Sequence, residues 1–99
     1  IGGILKPVGS VVIDSGAEAA LRKGRSLLPA GVTTVEGAFQ RGDPVTIQTA
    51  DGRIVGRGLS AYASGDAERI AGHKTGEIHK LLGYRGRDEI VHRDDLVLD

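Results

Sequence analysis

Residues 26–43, SLLPAGVTTVEGAFQRGD, decide the fold because they contain one strand pattern between two turn signals. Residues 29–31, Pro-Ala-Gly, form the first turn signal. The alternation of apolar and polar residues over 32–35 that follows is typical of a β-strand. Residues 41–44, Arg-Gly-Asp-Pro, form a second turn that leads to the next strand. A single strand cannot bury its own apolar residues, so we expect this stretch to join the elements on both sides in a common core.

Strand patterns lie on both sides of this stretch. Residues 11–13, Val-Val-Ile, predict a short buried strand, and the alternation over residues 45–49 predicts a half-buried one. Toward the end of the chain, residues 89–92 and 96–98 predict two closing strands. The sequence therefore predicts a mainly β fold of about six strands.

A hairpin follows residues 45–49. Asp51-Gly52 is a strong signal for a two-residue turn between antiparallel strands. The register that this turn sets places Gly56 opposite Ile47. Gly58 then lies opposite Val45, and we interpret both glycines as sites where the return strand curves over a crowded core.

Short helices complete the predicted elements. Ser15 and Glu18 have the spacing of a capping box and predict a helix that ends at Gly24. Ser64 and Thr75 predict the N-caps of two further helices, which end at the glycines at positions 72 and 83. We expect the core to contain an apolar residue from nearly every element: Val12, Leu21, Val35, Phe39, Val45, Ile47, Leu59, Ile78, Leu82 and Val97.

The composition limits the functional classes. A chain of 99 residues forms one domain with a modest core, and its 13 basic and 13 acidic residues balance. This balance and only three aromatic residues are unusual for a nucleic-acid binder. The absence of cysteine excludes disulfides and thiolate metal sites, and no apolar run is long enough to cross a membrane. We therefore expect no membrane partner.

Two motif matches have simpler structural explanations. Residues 92–94, His-Arg-Asp, resemble the catalytic loop of protein kinases, but Asp99 stands where that loop needs an asparagine, and the other kinase motifs are missing. Residues 56–61 match a dinucleotide-binding pattern, yet they lie in a hairpin strand instead of a strand-to-helix turn. His73 and His79 are spaced wrongly for one helical face. We assign no catalytic residue and no metal ligand.

Several motifs together resemble the C-terminal PUA domain of the glutamate 5-kinase family. They are Asp14-Ser15-Gly16-Ala17, Ser26-Leu27-Leu28, Gly58-Leu59 with Tyr62, Leu82-Gly83-Tyr84, and His92-Arg93-Asp94. The resemblance extends from about Gly9 to Leu98 and implies a PUA-like β pseudobarrel with short helices. It divides the chain into residues 1–9, a leading segment or interdomain linker, and a PUA domain over residues 10–99.

The resemblance also implies a parent enzyme. Glutamate 5-kinases use ATP and Mg²⁺ to phosphorylate L-glutamate in the first, cytoplasmic step of proline biosynthesis, on a kinase domain that these 99 residues do not contain. The PUA domain itself is expected to be non-catalytic, without a cofactor, and structural or regulatory. Its expected partner is its own kinase domain or a neighbouring subunit. The alternative is an RNA-binding module, as in other PUA families.

The RNA alternative has a defined candidate surface. The resemblance places an RNA-facing groove at the first helix, the loop after it and a facing strand. The candidate nucleic-acid-binding residues there are Arg22, Lys23, Arg25, Ser26 and Arg57. A second basic group, which includes Arg85 and Arg87, lies outside that groove. A continuous basic groove would favour RNA, and an exposed apolar patch would favour packing against protein.

Overall fold

A five-stranded mixed sheet organises the computed structural model, which describes residues 6–84 and 86–99. The strand order is β2-β1-β3-β4-β5. The strands are β1 (Gly9–Ile13), β2 (Val32–Gly37), β3 (Pro44–Thr49), β4 (Ile54–Leu59) and β5 (Leu96–Leu98). The β1–β3 pair is parallel and the other pairs are antiparallel. This order places β1 between two strands that follow it in the chain.

Three short α-helices accompany this sheet within the described residues. They are α1 (Ser15–Arg22), α2 (Ser64–Ile70) and α3 (Ile78–Leu82). Single 3₁₀ turns over Pro29–Gly31, Thr75–Glu77 and Arg93–Asp95 precede β2, α3 and β5. Gly83 ends α3 with a φ of 79°, as its sequence position predicts.

The predicted hairpin register is confirmed. Gly58 pairs with Val45 and Gly56 pairs with Ile47, although a bulge interrupts the ladder between Ile47 and Gln48. Crowding from the neighbouring segment explains both glycines. A Cβ atom on Gly58 would lie 2.5 Å from a methyl group of Val91. A Cβ atom on Gly56 would overlap the backbone of β5.

The strand predicted at residues 89–92 is wrong. Val91 forms only an isolated antiparallel bridge with Leu27. The Leu27 N–H donates to the Val91 carbonyl at 2.9 Å, and the Ile90 N–H donates to the Leu27 carbonyl at 2.8 Å. The Ile90 carbonyl accepts from Ala61, so this short apolar segment bonds to loops on two sides instead of extending one ladder. The predicted strands at 11–13 and 96–98 are confirmed as parts of β1 and β5.

The helix N-caps differ from the prediction. Asp14, not Ser15, caps α1, because its carboxylate accepts from the Ala17 N–H at 2.7 Å. The carboxylate also complements the positive end of the helix. Ser64 is the first residue of α2, and its hydroxyl accepts from the Phe39 N–H at 3.3 Å. The 3₁₀ turn before α3 begins after Lys74, so Thr75 is not a cap either.

The core lies between the inner face of the sheet and the helices. Of the predicted core residues, Val35 and Leu82 are partly buried and pack against the core. The prediction is wrong for Leu59 and Val97, because these side chains are 39% and 54% exposed on the outer face of the sheet. The other six predicted residues are buried, and the prediction omitted ten more: Val11, Ile13, Leu27, Val32, Val55, Tyr62, Ala67, Ile70, Ile90 and Val91.

An ion pair joins α1 to the β3–β4 hairpin. Two guanidinium nitrogens of Arg53 each donate to one carboxylate oxygen of Glu18 at 2.8 Å. Arg22 adds a weaker contact to the same carboxylate at 3.4 Å. The hydrogen bonds from Arg53 hold the pKa of Glu18 below its usual value, and the charges of both arginines lower it further. Glu18 therefore faces Arg53 instead of forming the predicted capping box.

The Glu18→Gln variant is expected to lose stability at neutral pH. Because the pKa of Glu18 is lowered in the folded state, its contribution is present above the ordinary glutamate pKa and disappears as the pH falls through the folded-state value. The difference in unfolding free energy between the parent and Glu18→Gln should therefore shrink as urea titrations move to acid. Glu68→Gln, at an exposed position on α2, is the control and should show no such convergence. A constant difference across that pH range would contradict the assignment.

Candidate nucleic-acid interface

A cleft of about 360 Å³ lies between α1 and the segment that follows it. Gly31 approaches the helix closely in this cleft, and a Cβ atom on Gly31 would lie 2.5 Å from the Cβ of Ala17. It is lined by Asp14, Ala17, Ala20, Arg25, Ser26, Leu28, Ala30 and Gly31. Most of these side chains are small or aliphatic, so the cleft is mainly apolar.

The structure brings two candidate residues, Arg25 and Ser26, together in this cleft. The Ser26 hydroxyl oxygen accepts from the Arg93 N–H at 2.9 Å, which leaves the hydroxyl proton for another acceptor. Arg25 is the single cationic residue of the lining, and Asp14 contributes a carboxylate to the same cleft. The cleft therefore offers little net attraction to a polyanion.

Arg22 and Lys23 lie on another side of α1. They line a separate depression together with Ser15, Glu18 and Ala19. Arg22 contacts the Glu18 carboxylate at 3.4 Å and donates to the Asp99 carbonyl at 3.5 Å. Its charge is thus partly balanced, and it does not extend the positive potential of Arg25.

Arg57 lies in the middle of β4, paired with Thr46 on one side and Val97 on the other. The arginine that reaches α1 is Arg53, which directly precedes β4. The five candidate residues are therefore distributed over three surfaces: the cleft, the far side of α1 and the sheet. Of the second basic group, Arg87 lies 3.8 Å from Glu89, and Arg85 lies outside the described residues.

The sequence interpretation missed Leu28, the large apolar residue of the cleft. Leu28 is 46% exposed, whereas its neighbour Leu27 is 1% exposed. Two adjacent leucines in extended backbone point to opposite sides, so one of them has to leave the core. That alternation was the available signal.

A second pocket, of about 510 Å³, contains both tyrosines. The Tyr84 hydroxyl donates to the Asp66 carboxylate at 2.7 Å. This hydrogen bond raises the pKa of Tyr84 to about 12. Burial raises the pKa of Tyr62, whose hydroxyl donates to the Arg87 carbonyl. Both hydroxyls therefore stay protonated near neutral pH; Tyr84 is held against α2, and Tyr62 holds the backbone at Arg87.

Neither a metal site nor a membrane span is found in the part of the chain that the structure describes. No group of three acidic, histidine or cysteine side chains there is arranged to hold a metal ion. No helix among these residues has the length and apolar composition to cross a bilayer.

The family model described as the PUA domain matches residues 9–82. The chain belongs to the PUA domain family. A crystal structure of a PUA domain from Aeropyrum pernix K1, determined as a tartrate complex, superposes with a TM-score of 0.62. That protein is 34% identical over 87% of this chain, which corresponds to 43% of its own length. The predicted PUA-like fold is thus confirmed.

Curated relatives of this PUA domain are glutamate 5-kinases. The enzyme from Paramagnetospirillum magneticum is 56% identical over 97 residues, which is 98% of this chain. The enzyme from Gluconobacter oxydans is 59% identical over 99 residues, the whole of this chain. In both cases the chain spans 26% of the length of the relative.

Proposed function

We propose that this PUA domain is the C-terminal, non-catalytic part of a glutamate 5-kinase. The observation that carries the proposal is the 56–59% identity to two such enzymes over almost every residue of this chain. The complete cytoplasmic enzyme transfers the γ-phosphate of ATP, with Mg²⁺, to the side-chain carboxylate of L-glutamate and begins proline biosynthesis. That chemistry resides in the kinase part of the protein.

The role of the domain is to pack against its kinase domain or a neighbouring subunit. The four large apolar side chains exposed on the sheet support this role. The cleft beside α1 disfavours RNA, because it is mainly apolar and contains a single arginine together with a carboxylate. Protein–protein interfaces combine apolar contact area with isolated charges in this way, whereas nucleic-acid-binding sites place several cationic side chains along one surface.

An activity assay tests the assignment to the kinase. The full-length protein that contains residues 1–99 should form ADP from ATP only when L-glutamate and Mg²⁺ are present. The isolated chain should form none, because it has no residues assigned to phosphate transfer. Glutamate-dependent ADP formation by the isolated chain, or its absence from the full-length protein, would overturn the proposal.

RNA binding in the α1 cleft is the second candidate. The observation in its favour is that Arg25 and the free proton of Ser26 share one cleft. Titration with folded tRNA at several salt concentrations tests it, since each phosphate contact adds about −0.9 to the log–log salt slope. If RNA binds there, Arg25→Ala should reduce the slope and Arg87→Ala should not. We expect no specific binding; equal weakening by both variants would eliminate a defined RNA site.

A further inference from the structure

The outer face of the sheet carries most of the exposed large apolar side chains. Six such side chains are exposed among the described residues, and four of them belong to this face. We call the set of these four with Arg57 the outer sheet face: Val8, Ile54, Arg57, Leu59 and Val97. Val8 is 51% exposed, Ile54 50%, Leu59 39% and Val97 54%.

Strand register places these residues side by side. Arg57 pairs with Val97 of β5, and paired residues point to the same side of a sheet. Leu59 lies two residues farther along β4 and therefore also shares that side. The bulge in β4 pairs Ile54 with Gln48, whose neighbour Ile47 is fully buried on the opposite side. Ile54 consequently points outward with Arg57.

Val8 extends the outer sheet face at the other end. Its N–H donates to the Pro44 carbonyl at 3.0 Å, and Pro44 pairs with Leu59. Alternation along β1 places Val8 on the side of Ser10, opposite the buried Val11. The chain that precedes β1 therefore reaches the sheet beside Leu59.

The rest of the same side is polar where it is exposed, since Val12 is only 8% exposed. Across β1 and β2 it presents Ser10, Thr34 and Glu36, and the Ser10 hydroxyl donates to the Glu36 carboxylate at 3.2 Å. Apolar exposure is thus concentrated around Arg57 and is not a general property of the sheet. Among the described residues, Arg57 has no side-chain hydrogen bond or ion pair. An exposed arginine with aliphatic neighbours, here Leu59 and Val97, is typical of the energetic centre of a protein interface.

We propose that the outer sheet face binds the remainder of the same polypeptide, with a carboxylate of that part opposite Arg57. The inference rests on the proposed function, in which the kinase domain precedes this domain. About three quarters of the related enzymes lie outside the matched stretch, since this chain spans 26% of them. Residues 6–8 lead into β1 beside Leu59, at the edge of this face. A sheet face also offers a broad surface to a folded domain, whereas the α1 cleft has room only for a few side chains.

Cysteine labelling of the full-length protein tests the proposal. Residues 1–99 contain no cysteine, so Ile54→Cys and Val97→Cys each introduce one thiol into this domain. Leu28→Cys and Tyr84→Cys are matched controls, because Leu28 and Tyr84 are 46% and 44% exposed but lie away from the outer sheet face. The rate of maleimide addition is read from the mass of the labelled peptide and normalised to the rate in urea.

The two sheet cysteines should react more slowly than the two control cysteines by about tenfold or more, because buried interface thiols react only during transient opening. Equal normalised rates would overturn the proposal. Slow labelling of Leu28→Cys with fast labelling of Val97→Cys would also overturn it and assign the interface to the cleft. The same preparations are assayed for glutamate-dependent ADP formation. Activity with an unprotected sheet face defeats only this inference, whereas a protected face without activity defeats only the kinase assignment.

Discussion

Replacing Phe39 by alanine is expected to lower the unfolding free energy by about 3–5 kcal/mol, the range for large-to-small changes in protein cores. Phe39 is 1% exposed and has the largest volume of the fully buried side chains among the described residues. Its ring packs directly over Gly9, where an added Cβ would lie 2.5 Å from a ring carbon. The backbone around it is fixed by Ser64, whose N–H donates to the Phe39 carbonyl at 2.9 Å. Relaxation cannot easily refill the vacated volume. Urea unfolding of the two proteins measures the difference.

The control for Phe39→Ala is Leu28→Ala. Leu28 is 46% exposed, so its truncation should change the unfolding free energy by no more than about 0.5 kcal/mol, as for most surface substitutions. An unchanged urea midpoint for Phe39→Ala would remove this residue from the core. It would also contradict the close approach of residues 37–39 to the start of β1.

The Gly56→Ala variant is expected to lose about 1–3 kcal/mol of unfolding free energy, because it overpacks a fixed contact. The new methyl group would overlap the Val97 carbonyl oxygen and lie 3.0 Å from the Leu98 Cα. These are backbone atoms of β5, which cannot rotate away as a side chain can. The strand itself has to shift, and its pairing with Gly56–Gly58 of β4 weakens. Thermal or urea unfolding reports the change.

Gly65→Ala is the matched control for Gly56→Ala. Gly65 lies in α2, and a Cβ atom there meets nothing within 4 Å. Alanine is favoured over glycine inside a helix by about 0.5–1 kcal/mol, so this variant should be slightly more stable than the parent. A similar loss in both variants would show that the effect does not arise from contact with β5.

Local signals explain which parts of the fold were predictable from sequence. The Asp51-Gly52 turn sets the register of its hairpin within a few residues, and the pairing of Gly58 with Val45 follows from it. Residues 89–92 have the composition of a strand, but their partner is Leu27, far away in the sequence. Composition alone does not reveal such a partner. Leu59 and Val97 were placed in the core because they are apolar, while the face that each presents depends on a register that only the assembled sheet defines.

The candidate site was predictable in composition but not in arrangement. Arg22, Lys23 and Arg25 are adjacent in the chain and near a helix end, as the sequence indicates. However, α1 ends at Arg22, so helical periodicity no longer determines where Arg25 points. Arg22 faces the carboxylate of Glu18, and Arg25 enters the cleft with Ser26. Arg57 was expected to face the helix, whereas Arg53, four residues earlier and just before β4, occupies that position.

The bridge between Leu27 and Val91 has a consequence for how the chain folds. This contact closes a loop that includes β2, β3, β4, α2 and α3. Closing so long a loop lowers the entropy of the chain, so we expect the contact to form after most of the other pairings have formed. Chains dominated by such distant pairings fold slowly compared with helical domains of similar size. During synthesis, Leu27 stays without its partner until residues near 91 have left the ribosome. In that interval the outer edge of β4 also lacks its partner, because β5 lies farther along the chain, and an unpaired strand edge favours association with other chains.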